Sequence, residues 1–308
     1  MANHSTAHIY QSLISNFIIA LFKAGAAWFT HSGSMMAETI HSFADCGNQV
    51  LLLVGVRRSM LPPDAKHPLG YGRDLYFWSF MVALLLFAGG GMFSMYEGVH
   101  KLQHPEPVEH AAIGIAILVV SLGIEGAATW ANIREMRKRA KGAPLLQYVR
   151  DSKDSDLIVV FGENSAATVG LVLAIAAMAM ASITGEPRWD AAGSLAIGVV
   201  LVFVAIFLAK EVKSLLVGEA ADPHLEAAVL ALVVAHPDLD KLMSMITIQQ
   251  GPGQVMLSMK IEFRDGLSMP AGVAAIADFE RQLAAACPEV KWCFVEPGLK
   301  HLEGGGPQ

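Results

Sequence analysis

The sequence predicts an α-helical bundle of six transmembrane spans followed by a small α+β, ferredoxin-like cytoplasmic domain. Three observations predict it. First, 54% of the 308 residues are hydrophobic and only 16% charged, with a mean hydropathy of +0.45, which is too apolar for an ordinary soluble domain. Second, six windows reach the roughly 20 apolar residues that a helix needs to cross a bilayer: about 9–30, 33–57, 75–99, 111–134, 157–183 and 190–216. Third, beyond Gly218 the long apolar runs stop, and short alternating and amphipathic segments replace them. The chain therefore divides into a membrane part, 1–217, a domain over 218–300 and a loose tail over 301–308.

The opening, Met1 to His8, is short and polar and lacks a basic leader region. With no small-residue cleavage site after it, the first window reads as a retained span and not a cleaved signal. Thr184-Gly-Glu-Pro-Arg188 is a turn signal separating the fifth and sixth windows. Basic residues set the orientation. Arg57, Arg58, Lys66 and Arg73 follow the second window. Arg134, Arg137, Lys138, Arg139, Lys141, Arg150 and Lys153 follow the fourth, and Lys210 and Lys213 end the sixth. The opposite side carries only Lys101 and Arg188, so the positive-inside rule puts both termini in the cytoplasm. The basic run after the fourth window also suits contact with anionic lipid. Trp28, Trp78, Trp130 and Trp189 fall near window ends, as interface anchors do.

In the C-terminal part, 223–234 reads as an amphipathic helix and 241–248 and 254–263 as strands about a Gln250-Gly-Pro-Gly253 turn. A second helix over 270–286, with Ser268 as its cap, precedes a third strand at 290–295. This order builds a sheet with helices on one face.

A net charge of −6 gives no electrostatic support for binding nucleic acid. Cys46, Cys287 and Cys293 show no pairing pattern and read as reduced structural thiols. No His-Glu-x-x-His and no Ser/His/Asp order occurs in the spans, so a membrane hydrolase is disfavoured, and no cofactor is expected.

The chemistry concentrates in the second window, where Ser34-Met-Met-Ala-Glu-Thr-Ile-His-Ser-Phe-Ala-Asp45 carries Glu38, His41 and Asp45. Spacings of three and four residues place all three on one helix face. Ionisable groups at membrane depth are costly and normally face a bundle interior or a water-filled path. Imidazole and carboxylate are ligands that zinc accepts. The competing reading is a polar patch that packs helices without an ion. Glu97 and Glu125 are further intramembrane carboxylates, read as interfacial or structural. Gly89-Gly-Gly91, Gly123, Gly126 and Gly170 would let helices approach closely.

Several stretches together resemble the cation diffusion facilitator family, the zinc-type divalent cation exporters. They are His31-Ser-Gly-Ser-Met35, His41-Ser-Phe-Ala-Asp45, Asp64-Ala-Lys-His-Pro-Leu-Gly-Tyr-Gly-Arg73 and Trp189-Asp190. His67 to Trp78 and Tyr96-Glu-Gly-Val-His-Lys101 resemble the branch that includes the mitochondrial zinc transporter of animals. The resemblance implies a tetrahedral transport site between the second and fifth spans, with His41 and Asp45 as its second-span half. The usual His/Asp-x-x-x-Asp of the fifth span is absent: this span reads Phe161-Gly-Glu-Asn-Ser-Ala-Ala-Thr168. One register puts Asn164 and Thr168 at the ligand positions, and a shift of one puts Glu163 and Ala167 there. Glu163 or Asn164 is therefore the expected ligand, with Glu38, Thr168 or water completing the shell. Asp64 and His67 match part of a loop site found in some members, whose third position is Tyr71 here. Met243, Met259 and Phe294 stand where the C-terminal two-metal cluster of some members would be. Only Glu296 is acidic there, and His224, His236 and His301 have no ligand spacing, so no such cluster is expected.

The resemblance implies a proton-coupled antiporter exporting Zn²⁺, or alternatively Mn²⁺, Co²⁺, Fe²⁺ or Cd²⁺, in a bacterial inner membrane. It further implies a homodimer formed through both domains. The rival to transport is a metal sensor or scaffold.

Overall fold

The computed structural model describes residues 2–140, 142, 144, 145, 148, 149 and 155–298. Lys141, Arg150, Lys153, His301 and the tail over 301–308 lie outside them. The described residues form two compact units. One comprises those up to Arg58, from Leu75 to Val149 and from Ser155 to Lys213; the other comprises Ser59–Asp74 and Ser214–Gly298.

In the first unit a helix stands at each of the six windows: α1 (Ala2–Thr30), α2 (Gly33–Ser59), α3 (Asp74–Leu85) continuing into α4 (Phe93–Gln103), α5 (Ala111–Arg139), α6 (Ser155–Thr184) and α7 (Arg188–Val217). Four stretches are long and apolar enough to cross a membrane: Asp74–Gln103, Ala111–Arg139, Ile158–Thr184 and Arg188–Val217. In α1 the apolar stretch is the shorter Asn16–Thr30. The hydropathy of α2 is reduced by Glu38, His41, Asp45, Arg57 and Arg58. Large apolar side chains such as Phe22, Trp28, Ile113, Val120, Ile183 and Phe203 point outward, as lipid-facing surfaces require.

Between α3 and α4 the chain makes a π-helical segment, Leu86–Met92, which contains Gly89-Gly-Gly91. A π turn widens the helix and commonly marks a functional position. Here its last glycine starts a close approach to α7. A Cβ on Gly198 would lie 2.8 Å from the Met95 nitrogen and 3.0 Å from the Gly91 oxygen; one on Gly98 would lie 2.8 Å from the Leu195 nitrogen. Ser194 donates to the Ser94 carbonyl at 3.0 Å across the same seam. Small residues thus let two backbones touch, which is how helices gain packing contacts where no hydrophobic force drives them together. Gly123 and Gly126, expected to behave likewise, have nothing within 4 Å of a Cβ in the described chain. Close approach does not explain them. At Gly170, by contrast, a Cβ would collide with the Glu38 carboxylate.

The start of α2 is capped from another helix. Asp190, at the start of α7 and buried, accepts from Ser32 Oγ at 2.6 Å, from the Gly33 N–H at 2.5 Å and from the Ser34 N–H at 3.3 Å. The Ser34 hydroxyl donates to it as well. A carboxylate here satisfies open N–H groups and opposes the positive end of the helix dipole. This cap anchors the helix that carries Glu38, His41 and Asp45.

The second unit contains α8 (Pro223–Ala235), β1 (Leu239–Gly251), β2 (Gln254–Phe263), α9 (Met269–Ala286) and β3 (Val290–Gly298). The sheet order is β1-β2-β3, with β1 and β2 antiparallel and β2 and β3 parallel. Alternate residues of β2, namely Val255, Leu257, Met259 and Ile261, pack with Leu225, Val229 and Val233 of α8 and Phe279 and Leu283 of α9. Burying each large apolar side chain contributes roughly 1.5–3 kcal/mol. Asp222 caps α8 by accepting from the His224 N–H at 2.8 Å, just before Pro223 at the first turn. Ser268 occupies the cap position of α9 but makes no side-chain cap bond; Pro270 in the first turn has no N–H to cap. The Ser59–Asp74 loop belongs to this unit, and a Cβ on Gly72 would lie 2.5 Å from the Gln250 oxygen.

The glycine seam carries a direct prediction. Gly198→Ala should lower the thermal stability of the purified protein by about 1–3 kcal/mol, the usual cost of forcing volume into a packed contact, whereas Gly123→Ala should be near neutral. Equal effects of the two on thermal unfolding would show that the seam is not under packing constraint.

Candidate functional site

His41 and Asp45 lie one turn apart on α2, with His41 Nδ1 3.6 Å from Asp45 Oδ1. His41 is 1% exposed, and neither ring nitrogen has a hydrogen-bond partner among the described residues. Asp45 Oδ1 also lacks one. Buried polar atoms without partners are costly and uncommon, so a cluster of them marks a place where a ligand would bind.

Asp45 borders a cavity of about 440 Å³ whose wall includes Ser42 of α2, Glu125 of α5, and Glu163 and Asn164 of α6. The α6 contribution is Val160, Glu163, Asn164 and Ala167. Spacings of three, four and seven residues define one helix face. That face carries both members of the Glu163/Asn164 pair between which the sequence left a choice. Asn48 donates to Glu163 Oε1 at 2.5 Å and so ties α2 to α6 at the site.

Thr168 is not in that wall. Its hydroxyl bonds the Asn164 carbonyl at 2.9 Å and the Thr129 hydroxyl at 2.8 Å. Thr129 also bonds the Glu125 carbonyl at 2.9 Å, so these threonines link α5 to α6. Glu38 is likewise engaged elsewhere. Its Oε2 lies 3.3 Å from the ammonium of Lys23 on α1, which also donates to Ser42 Oγ at 2.9 Å and Glu125 Oε1 at 2.9 Å. Lys23 is fully buried. Sequence reasoning overlooked it, although a lone lysine in the middle of an apolar window was a visible signal. Lys23 is also the partner of Glu125, the carboxylate that the sequence reads as interfacial or structural.

Among the described residues, no group of three His, Cys, Asp or Glu side chains is gathered tightly enough to hold a metal ion. Asp45 of α2 and Glu163 and Asn164 of α6 instead share one cavity wall with the carboxylate of Glu125, while His41 does not border it.

Asp64 and His67 stand in the loop of the second unit. Asp64 accepts from the Lys66 and His67 N–H groups at 2.8 and 2.7 Å and from the Tyr71 hydroxyl at 2.7 Å. His67 packs on the Tyr71 ring, with centroids 4.2 Å apart, and its Nδ1 is 3.4 Å from Asp64. Tyr71, at the position where a third ligand would stand, thus closes a turn around Asp64. In the C-terminal domain Met259 lies in the core, Glu296 pairs with Lys260 at 3.1 Å and His236 pairs with Asp278 at 3.4 Å. Cys287 and Cys293 are free thiols, and burial pushes Cys293 up to about 11, leaving little reactive thiolate at neutral pH.

Hydrogen bonding from Tyr71, followed by the loop N–H groups, holds the Asp64 carboxyl below its usual range. A depressed carboxyl stabilises the folded loop above the ordinary value of about 3.9 and loses that contribution as pH falls through its lower folded value. Tyr71→Phe should therefore move the Asp64 titration upward, as read by NMR of its carboxyl carbon. An unmoved titration would assign the effect to the backbone donors alone.

The family profile described as the cation efflux transmembrane domain matches residues 9–217. The mitochondrial proton-coupled zinc antiporter SLC30A9 of Homo sapiens is 33% identical over 270 residues, 87% of this chain and 47% of that protein. Metal tolerance protein C4 of Arabidopsis thaliana is 32% identical over 262 residues, 84% of this chain and 57% of that protein. The cation-efflux pump FieF of Klebsiella pneumoniae is 26% identical over 255 residues, 82% of this chain and 78% of the pump. The chain spans about half the length of the antiporter and plant relatives it matches. With helices at every expected window, four of them apolar enough to cross a bilayer, and the profile covering the whole bundle, the chain is an integral membrane protein that belongs to the cation diffusion facilitator family.

Proposed function

We propose that this protein exports a divalent cation, zinc first, by proton-coupled alternating access. In this reading all six helices of the first unit span the membrane and both termini are cytoplasmic. The working form is a homodimer, surrounded by lipid and assembled through both domains, in a bacterial inner membrane. The observation that carries the reading is the cavity bordered by Asp45 of α2 and Glu163 and Asn164 of α6, with His41, whose ring nitrogens have no hydrogen-bond partner among the described residues, one turn from Asp45. The chain's similarity to a proton-coupled zinc antiporter and a cation-efflux pump agrees with it.

The mechanism follows from the donors. A neutral imidazole and an ionised carboxylate bind metal through the same lone pairs that take up protons, so metal loading releases protons and protonation releases metal. Histidine suits this exchange because its ordinary pKa lies near physiological pH. Asp45, Glu163 and Asn164 border the cavity and His41 stands one turn before Asp45 on α2, so coordination requires α2 and α6 to draw together or water to bridge them. Thr168 bonds Thr129 and the Asn164 carbonyl, and Glu38 does not border the cavity, so the proposed set is His41, Asp45, Glu163 and Asn164. Asp64 and His67 form a loop anchor closed by Tyr71.

The oxygen-rich α6 half supports a second reading within transport. A Glu/Asn half-site is harder than one built on a second histidine, which favours Mn²⁺, Fe²⁺ or Co²⁺ more than a His₂Asp₂ site would.

Reconstituted into liposomes with an outward-directed metal load, the protein should move Zn²⁺ in exchange for protons. His41→Ala and Asp45→Ala should each reduce flux by about tenfold or more, as loss of a metal ligand does. Unchanged flux in both variants would overturn the proposal and favour a sensor or scaffold. A panel of Zn²⁺, Cd²⁺, Mn²⁺, Co²⁺ and Fe²⁺ in the same assay ranks the ions directly.

A further inference from the structure

We propose that Glu125, on α5, is a further metal ligand of the transport cavity, held in place by the buried ammonium of Lys23. The inference rests on the transport reading above and adds a third helix to its site.

An ammonium has three N–H donors. Those of Lys23 go to Glu125 Oε1, Ser42 Oγ and Glu38 Oε2, so its capacity is used up. Two carboxylates share this one cation, and each keeps a second oxygen. Glu38 Oε1 and Glu125 Oε2 are both buried and have no hydrogen-bond partner among the described residues. The two differ in where they sit. Glu38 packs against Gly170 of α6 and does not border the cavity. Glu125 borders it, together with Asp45, Glu163 and Asn164.

A plain structural ion pair would account for Glu125 Oε1. It would not account for an unpartnered second oxygen beside a cavity that three other candidate donors border. Nor would it account for Asp45 Oδ1, which belongs to the same cavity wall and has no hydrogen-bond partner among the described residues. A divalent cation in the cavity would supply the missing positive charge and the missing partner together. Glu125 then adds a hard oxygen donor where α6 lacks the His/Asp pair. Lys23 is the positioning residue: it fixes one oxygen of Glu125 and leaves the other for the ion. The site would then draw on α2, α5 and α6, and Lys23 would couple its occupancy to α1.

The test uses the full-length protein in detergent, with Zn²⁺ alone as the probe and two readouts, direct binding and the zinc-induced rise in thermal midpoint. Glu125→Gln keeps the size of the side chain and an oxygen for Lys23 but removes the charge. It should weaken zinc binding by about tenfold or more and shrink the zinc-induced thermal shift accordingly. A residue with only a structural role would lower the metal-free midpoint and leave the zinc-induced shift at its wild-type size, and that result overturns the proposal. If Glu125→Gln does not fold, Glu125→Asp serves. It keeps the charge for Lys23 and shortens the reach to the ion, so weakened binding supports the inference and wild-type binding rejects it. His41→Ala and Asp45→Ala, measured alongside, separate the two readings. Loss of binding there with wild-type behaviour at Glu125 leaves the transport site standing and removes only Glu125. Wild-type binding in all of them removes both.

Discussion

A charge inside an apolar bundle is tolerated only if other groups answer it, and in this protein the answer to Lys23 organises the helices around it. Its ammonium lies between Glu38 and Ser42 of α2 and Glu125 of α5, so three helices meet at one cation. In a medium that cannot solvate either sign, removing one partner leaves the others uncompensated, which makes the arrangement all-or-none. The position of α2 relative to α1 and α5 is therefore set by electrostatics as much as by packing. Because α2 carries His41 and Asp45, the site inherits that position.

Two other constraints act on the same helix. Asp190 of α7 caps its N-terminus through Ser32, Gly33 and Ser34, and Asn48 ties its middle to Glu163 of α6. Two turns along α7 from Asp190, Gly198 meets Gly91 and Met95 at backbone contact. α7 is thus held both by backbone packing at the seam and by the cap it supplies to α2. The unsatisfied carboxylate oxygens lie elsewhere, at the cavity between α2, α5 and α6, where Asp45 Oδ1 and Glu125 Oε2 have no hydrogen-bond partner among the described residues. Two unsatisfied carboxylate oxygens on one cavity wall are the arrangement that a bound cation would complete.

Much of this was legible in the sequence because it is encoded locally. Long apolar runs, turn signals such as Thr184-Gly-Glu-Pro-Arg188 and the alternation in β2 depend on residues near one another in the chain, and each marks an element that the structure contains. The His41/Asp45 pair was legible for the same reason, since four residues make one turn. Lys23 and Glu125 were not paired, because 102 residues separate them and neither carries a local signal of its partner. Gly123 and Gly126 misled because a glycine in a span reads the same whether it faces a neighbouring helix or none.

By itself the sequence determined which segments are helices and strands, how the chemistry is spaced along α2, and the family to which the chain belongs. The tertiary structure alone decided the register of α6. Glu163 and Asn164 border the cavity while Thr168 turns to Thr129, because a helix presents only one arc of its surface to a given neighbour and a shift of one residue rotates that arc by about 100°. It also decided that Glu38 belongs to Lys23 and Tyr71 to Asp64. Such pairings depend on which side chains the packed elements bring within a few ångströms, a distance that spacing along the chain does not encode.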